Sequence, residues 1–116
     1  MDTVQQLERR REAIFEQMRS IRSMRRGTVN EQYLKVRHKG QTEPGRCGPY
    51  YVLTGKQGGR TVSQRLTRPE QLAAARADVA AHKRFVELCR QYEQLTEQLG
   101  QVERAAGGGQ EKKRRN

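Results

Sequence analysis

The chain has 116 residues, 33% of them hydrophobic and 32% charged, with four Tyr, two Phe and no Trp. One small domain fits that length, and so little apolar material excludes a solid core around a deep substrate pocket. Lys and Arg number 24 against 13 Asp and Glu, a net charge of +11, which points to a polyanionic partner such as nucleic acid.

The mean hydropathy of -1.08 leaves no run of about 18 apolar residues, so no membrane span and no membrane partner are expected. Polar Met1–Arg11 predicts no secretory signal. Cys47 and Cys89 lie in unlike contexts, which suits a reducing cytoplasm and not a disulfide framework.

A helix is expected over 2–26. Val4, Leu7, Ile14, Met18 and Ile21 repeat at three- and four-residue spacing, with Arg11 and Arg25 at the remaining seam positions. Asp2 or Thr3 can cap its start. Arg9, Arg10, Arg11, Arg22, Arg25 and Arg26 share this segment with Glu8, Glu12 and Glu16 at i, i+4 spacing. Mixed charge of that kind predicts a solvated face laced with ion pairs.

Residues 28–67 read as a three-stranded antiparallel sheet. Val29–His38 alternates, with Leu34 and Val36 on one face and Tyr33, Lys35 and Arg37 on the other. Residues 40–48 read as a loop, and Pro49–Thr54 as the second strand. Gln57-Gly58-Gly59 reads as the turn of a hairpin running from 50 to 66, because paired glycines accept positive φ. Arg60–Leu66 alternates again.

A long helix is expected over 68–105. Thr67 reads as its N-cap, Pro69 as a first-turn residue and Glu70 as the far member of a Thr-x-x-Glu capping box. Gly100 weakens its last turns. Leu72, Ala75 and Val79 form one apolar set, expected to cover one sheet face. Phe85, Leu88, Tyr92, Leu95, Leu99 and Val102 form a second. That second seam matches the 4–21 seam in length, about 25 Å each. The two fit an antiparallel coiled-coil hairpin within one chain, or a homodimer between two chains. Residues 107–116, three glycines followed by Lys112-Lys113-Arg114-Arg115, read as a disordered basic tail. The fold expected is therefore α+β in a single domain over 1–106, plus that tail.

The charge is not spread evenly. Residues 27–69 hold eight Lys and Arg against Glu31 and Glu43, whereas 70–106 hold five basic and six acidic residues. The excess thus falls on the sheet. If Leu34, Val36, Val62 and Leu66 face the helix, the open face presents Tyr33, Lys35, Arg37, Thr61, Ser63 and Arg65. On the second strand, either Tyr50, Val52 and Thr54 or Tyr51 and Leu53 join them. Lys56 and Arg60 flank the turn. Hydroxyls and cations bind phosphates, and a guanidinium can fork onto a guanine edge. The candidate contact residues are Tyr33, Lys35, Arg37, Lys56, Arg60, Ser63 and Arg65. Few exposed aromatics argue against a dedicated single-strand binder, and duplex DNA is favoured slightly over structured RNA.

Enzyme signals are weak. His38 with Cys47 and His82 with Cys89 lack the spacing of a structural zinc site. Gly55–Thr61 lacks the order of a phosphate-binding loop. Glu31 and Glu43 are too few for a two-metal nuclease centre. No catalytic residue, metal or cofactor is expected.

Gly27–Lys35, the Gly48-Pro49-Tyr50-Tyr51-Val52-Leu53 run, Gly58-Gly59-Arg60-Thr61-Val62-Ser63, and the Pro69-led helix through His82-Lys83-Arg84-Phe85 resemble an uncharacterised family of small prokaryotic proteins. Members are often encoded near transposases in mobile elements. The resemblance covers roughly residues 20–100 and implies a mobile-element setting, with a transposase as one partner to consider, but no activity. Many relatives are cysteine-rich between the first two strands, where this chain keeps only Cys47. The strand–strand–strand–helix order is also similar to the arm-binding domains of some phage integrases, a likeness of fold alone. The function expected is a non-enzymatic nucleic-acid-binding accessory protein. The alternatives are a coiled-coil protein–protein adaptor and an RNA- or ribosome-associated factor.

Overall fold

The computed structural model describes residues 3–36, 40 and 45–115. Five elements follow in order: α1 (Val4–Ser20), β1 (Thr28–Val36), β2 (Gly45–Gln57), β3 (Arg60–Leu66) and α2 (Pro69–Arg115). This is the expected α+β order. The chain divides into two compact units. One comprises Met1–Arg22 with Lys83–Asn116, the other Ser23–His82. Helix α2 contributes its first turns to the second unit and its remainder to the first.

The first unit is a two-helix hairpin. Thr3 caps α1: its Oγ1 accepts from the Gln6 N–H at 3.2 Å, and its own N–H donates to Gln6 Oε1 at 3.0 Å. Val4, Leu7, Arg11, Ile14, Met18 and Ile21 are all at least partly buried, while every other α1 position is exposed. On α2, Phe85, Leu88, Tyr92, Leu95, Leu99 and Val102 are likewise covered. The seams pair antiparallel within the chain. Arg84 Nη2 donates to Gln17 Oε1 at 3.3 Å. The Phe15 and Tyr92 rings lie 6.4 Å apart, and the Arg11 guanidinium sits 5.5 Å from the Tyr92 ring centre. Leu7, Leu88 and Leu99 are buried. Outside the seam, Arg19 pairs with Glu16 and Arg90 with Glu87, the pattern expected of a solvated face.

The helix limits differ from expectation. Helix α1 ends at Ser20, not 26, and Ile21 is already extended. Beyond it, Ser23 and Arg25 hydrogen-bond to Asp78, as described below, which compensates for the helical bonds given up. Helix α2 runs through 107–115, where a disordered tail was expected. Propagating an existing helix needs no new nucleus, so the roughly 1 kcal/mol cost of each glycine does not by itself terminate it. The α2 start is also shifted. The Leu72 N–H donates to the Arg68 carbonyl, so Arg68 and not Thr67 is the N-cap, with Pro69 first in the helix. Gln71, not Glu70, reaches back: its Oε1 accepts from the Arg68 N–H, the Thr67 N–H and the Thr67 hydroxyl.

The second unit is the sheet with the first turns of α2. Strand order is β1-β2-β3, all antiparallel. Strand β2 starts at Gly45, four residues before its expected start, and outruns the expected end by three. Gln57 pairs with Arg60 across Gly58 and Gly59, whose φ angles of 57° and 80° fit the two-residue turn that matches strand twist. Between the pairs Gln32–Tyr50 and Leu34–Cys47, β2 holds one residue more than β1, a bulge. Leu53, Leu66, Ala75 and Val79 form the core, with Val29, Tyr51 and Leu72 packed against it. Leu72, Ala75 and Val79 thus cover one sheet face as expected.

Residues 23–27 are bound to this core from outside the sheet. Asp78 Oδ1 accepts from the Ser23 hydroxyl at 2.7 Å, and Oδ2 pairs with Arg25 Nε at 3.0 Å. The Arg25 N–H donates to the Asp78 carbonyl at 3.1 Å. Gly27, at φ 138°, and Gly55 let this segment approach β2. A Cβ on Gly27 would run into the Thr54 carbonyl, and one on Gly55 would sit 2.6 Å from the Arg26 carbonyl. Among the described residues, no helix is long and apolar enough to cross a membrane.

Candidate nucleic-acid interface

Strand alternation and register decide which side chains share the open face. Tyr51, Leu53 and Leu66 pack toward α2. Their alternates Tyr50, Val52 and Thr54 therefore face away, which settles the choice on β2. Register then places four rows across the open face. Gln32 lies opposite Tyr50. Asn30, Val52 and Arg65 form the next row. Thr28, Thr54 and Ser63 form a hydroxyl row, and Lys56 lies opposite Thr61.

Two contacts bind this face laterally. Thr54 Oγ1 and Ser63 Oγ are 3.3 Å apart. The Arg65 guanidinium lies 4.1 Å from the Tyr50 ring centre, a stacked cation–π geometry that holds the guanidinium over the sheet. Lys56, Thr61, Ser63 and Arg65 are exposed, and Tyr50 is half-buried. The only carboxylate in the three strand sequences is Glu31. It falls on the other alternation, where it accepts the Tyr33 hydroxyl at 2.6 Å. Among the described residues the open face thus carries two cations, four aliphatic hydroxyls, the Tyr50 phenol, two amides and no acid.

The seven expected contact residues divide. Lys56, Ser63 and Arg65 are on the open face together. Tyr33 and Lys35 are not: they alternate with Val29 and Glu31 onto the face turned to α2, although both are exposed at the sheet's far end. Leu34, expected to point inward, is instead 53% exposed. The reason is phase. Strand β1 carries two apolar sets of opposite alternation, Val29 against Leu34 and Val36, and the sheet packs Val29 against its core. A one-residue change of phase exchanges every side chain between faces. Arg60 alternates with Val62 and Leu66, so it flanks the turn on the α2 side. Arg37 lies outside the described residues. Val62, expected to be inward, shares the Leu66 alternation but is 42% exposed. It opens onto a cavity of about 460 Å³ lined also by Met24, Arg26, Leu53, Gln57 and Gln64, past the reach of Ala75 and Val79.

Thr28, Asn30 and Gln32 join the open face against expectation, because the packing of Val29 and not of Leu34 sets the phase of β1. The signal that would have found them is Gly27-Thr28-Val29, where a lone β-branched apolar residue starts the strand beside the close-approach glycine. Among the described residues, no three His, Cys, Asp or Glu side chains come together as a metal site. Comparison with protein families, curated proteins and solved structures yields no match for this chain.

Proposed function

We propose that this is a non-enzymatic nucleic-acid-binding accessory protein that contacts duplex DNA through its open sheet face. The observation that carries the reading is the composition of that face: Lys56, Arg65, four aliphatic hydroxyls and two amides with no carboxylate among the described residues, in the segment with the largest basic excess of a +11 chain. Hydroxyls, amides and cations are the groups that hold phosphate oxygens, and a single acid among them would repel the backbone. Tyr50 lies beneath Arg65 and offers no bare ring for an unpaired base, which favours a duplex over a single strand. The resemblance to transposase-associated proteins fits a role within a mobile element and makes a transposase the first protein partner to test.

The test is fluorescence anisotropy of the full chain with a labelled random-sequence duplex and with a folded RNA, across a salt series. Lys56→Ala/Arg65→Ala is compared with Lys35→Ala. Affinity for the duplex should fall steeply with salt, and each lost phosphate contact should flatten the log–log slope by about 0.9. The open-face pair should flatten it and Lys35→Ala should not. Absence of duplex binding at physiological salt would sink the reading.

A second reading, a coiled-coil adaptor, rests on the helical hairpin. Phe15 is 47% and Val86 49% exposed, and an open groove beside the seam is lined by Ala13, Ile14 and Leu95. In that case Phe15→Glu would abolish partner capture while the Lys56→Ala/Arg65→Ala pair leaves it intact.

A further inference from the structure

We infer that the open face reads base sequence in the major groove of B-form DNA, with Arg65 recognising guanine and Asn30 and Gln32 recognising adenine. The inference rests on the duplex-binding reading above and adds to it which residues discriminate bases and how long the site is.

Size comes first. Adjacent strands lie about 4.8 Å apart, so the outer strands of this sheet are separated by roughly 10 Å. The major groove of B-DNA is about 12 Å wide, whereas that of A-form RNA is too narrow for side chains to read. Same-face residues along a strand repeat every ~6.8 Å, the rise of about two base pairs. The four rows from Gln32–Tyr50 to Lys56–Thr61 therefore span ~20 Å, or about six base pairs.

Chemistry comes second. Base edges in the major groove differ in donors, acceptors and the thymine methyl. An Arg fork matches guanine O6 and N7, a carboxamide matches adenine N6 and N7, and an apolar side chain meets the thymine methyl. One row across the three strands holds a carboxamide, an apolar group and a guanidinium: Asn30, Val52 and Arg65. The next holds Gln32 beside Tyr50. Val52 is half-buried between its polar neighbours. Val52, at the centre of that row, offers nothing to a phosphate but matches a thymine methyl.

Preorganisation comes third. Arg65 has long rotamer-rich freedom to lose on binding, and the Tyr50 ring 4.1 Å beneath it already holds the guanidinium in place. Holding a group in its bound position lowers the cost of ordering it. Tyr50 is accordingly a positioning residue for Arg65, and its contribution should appear in sequence preference and not in the salt dependence.

The experiment selects binders from a randomised duplex library with the full chain at about physiological salt, then sequences them, with folded RNA as competitor. The wild type should enrich a motif of about six base pairs or fewer containing a fixed guanine, whose replacement weakens binding about 5- to 150-fold. Arg65→Lys keeps the charge and loses the fork. It should lose the guanine preference, whereas Lys56→Ala, which removes a phosphate contact, should keep the preference and flatten the salt slope. Tyr50→Leu should weaken the same preference, and Asn30→Ala should relax an adenine position elsewhere in the motif. Circular dichroism checks that each variant folds. If the wild type binds duplexes but enriches no motif, the inference is overturned and the duplex reading stands. If Arg65→Lys enriches the same guanine, Arg65 is not the reader. If no duplex binds, or folded RNA competes more strongly than the selected duplex, both fall.

Discussion

Asp78 is the residue on which the segment before β1 depends, and its removal is a sharp test of the fold. Asp78→Ala deletes the acceptor of two bonds, from the Ser23 hydroxyl at 2.7 Å and Arg25 Nε at 3.0 Å. The Asp78 side chain is 13% exposed, but that of Arg25 is 42% exposed, so water compensates for much of the lost ion pair. Discounted in that way, the pair contributes about 1 kcal/mol. The Ser23 bond adds roughly another 1 kcal/mol. Alanine returns about 0.5 kcal/mol as the better helix former, which leaves a net loss of about 1.5 kcal/mol. In a chain of 116 residues that lowers the melting temperature by about 6 °C. The assay is thermal and urea denaturation of the full chain, followed by circular dichroism, for Asp78→Ala, Ser23→Ala and the double variant. Because the Ser23 bond is already gone in Asp78→Ala, the double variant should be no less stable than Asp78→Ala alone. A melting temperature for Asp78→Ala within 2 °C of the parent, or fully additive losses in the double variant, would refute the reasoning.

Further changes test the remaining packing. Gly27→Ala should destabilise the protein by more than about 2 kcal/mol, because φ is 138° and the new methyl meets the Thr54 carbonyl; Gly58→Ala, in open space at φ 57°, should cost about 1 kcal/mol, and urea midpoints distinguish them. Gly100→Ala should stabilise α2 by about 0.5–1 kcal/mol, since the added carbon meets only the mobile end of the Arg104 side chain; a lowered melting temperature would contradict this. Leu7→Ala should cost about 2–4 kcal/mol, as Leu7 is 1% exposed, whereas Ala at the half-exposed Phe15 should cost clearly less; helical signal on heating reads both.

Much of this architecture is written in local patterns. The seam Val4, Leu7, Arg11, Ile14, Met18, Ile21 and its counterpart from Phe85 to Val102 keep three- and four-residue spacing through their whole length, and the structure covers each of these positions. Periodicity of that kind is a property of the chain alone, because a helix face is defined by its own geometry. The Gly58-Gly59 turn is equally local, since positive φ at both positions is a backbone requirement met inside four residues. So were the location of β3 and the covering of one sheet face by Leu72, Ala75 and Val79.

What tertiary structure decided was phase and partnership. Strand β1 offers two apolar sets, and nothing within the strand says which is buried. The choice follows from Val29 standing opposite Leu53 while Leu53 packs with Ala75 and Val79. That long-range pairing moves Tyr33 and Lys35 off the open face and puts Thr28, Asn30 and Gln32 on it. The end of α1 is decided in the same way, by an aspartate 55 residues beyond Ser23 that no local pattern couples to it. Residue spacing thus determines which elements form, because their hydrogen bonds and faces are short-range. Which side of a strand meets water is determined by contacts between elements, because a strand's two faces differ only in what packs against them.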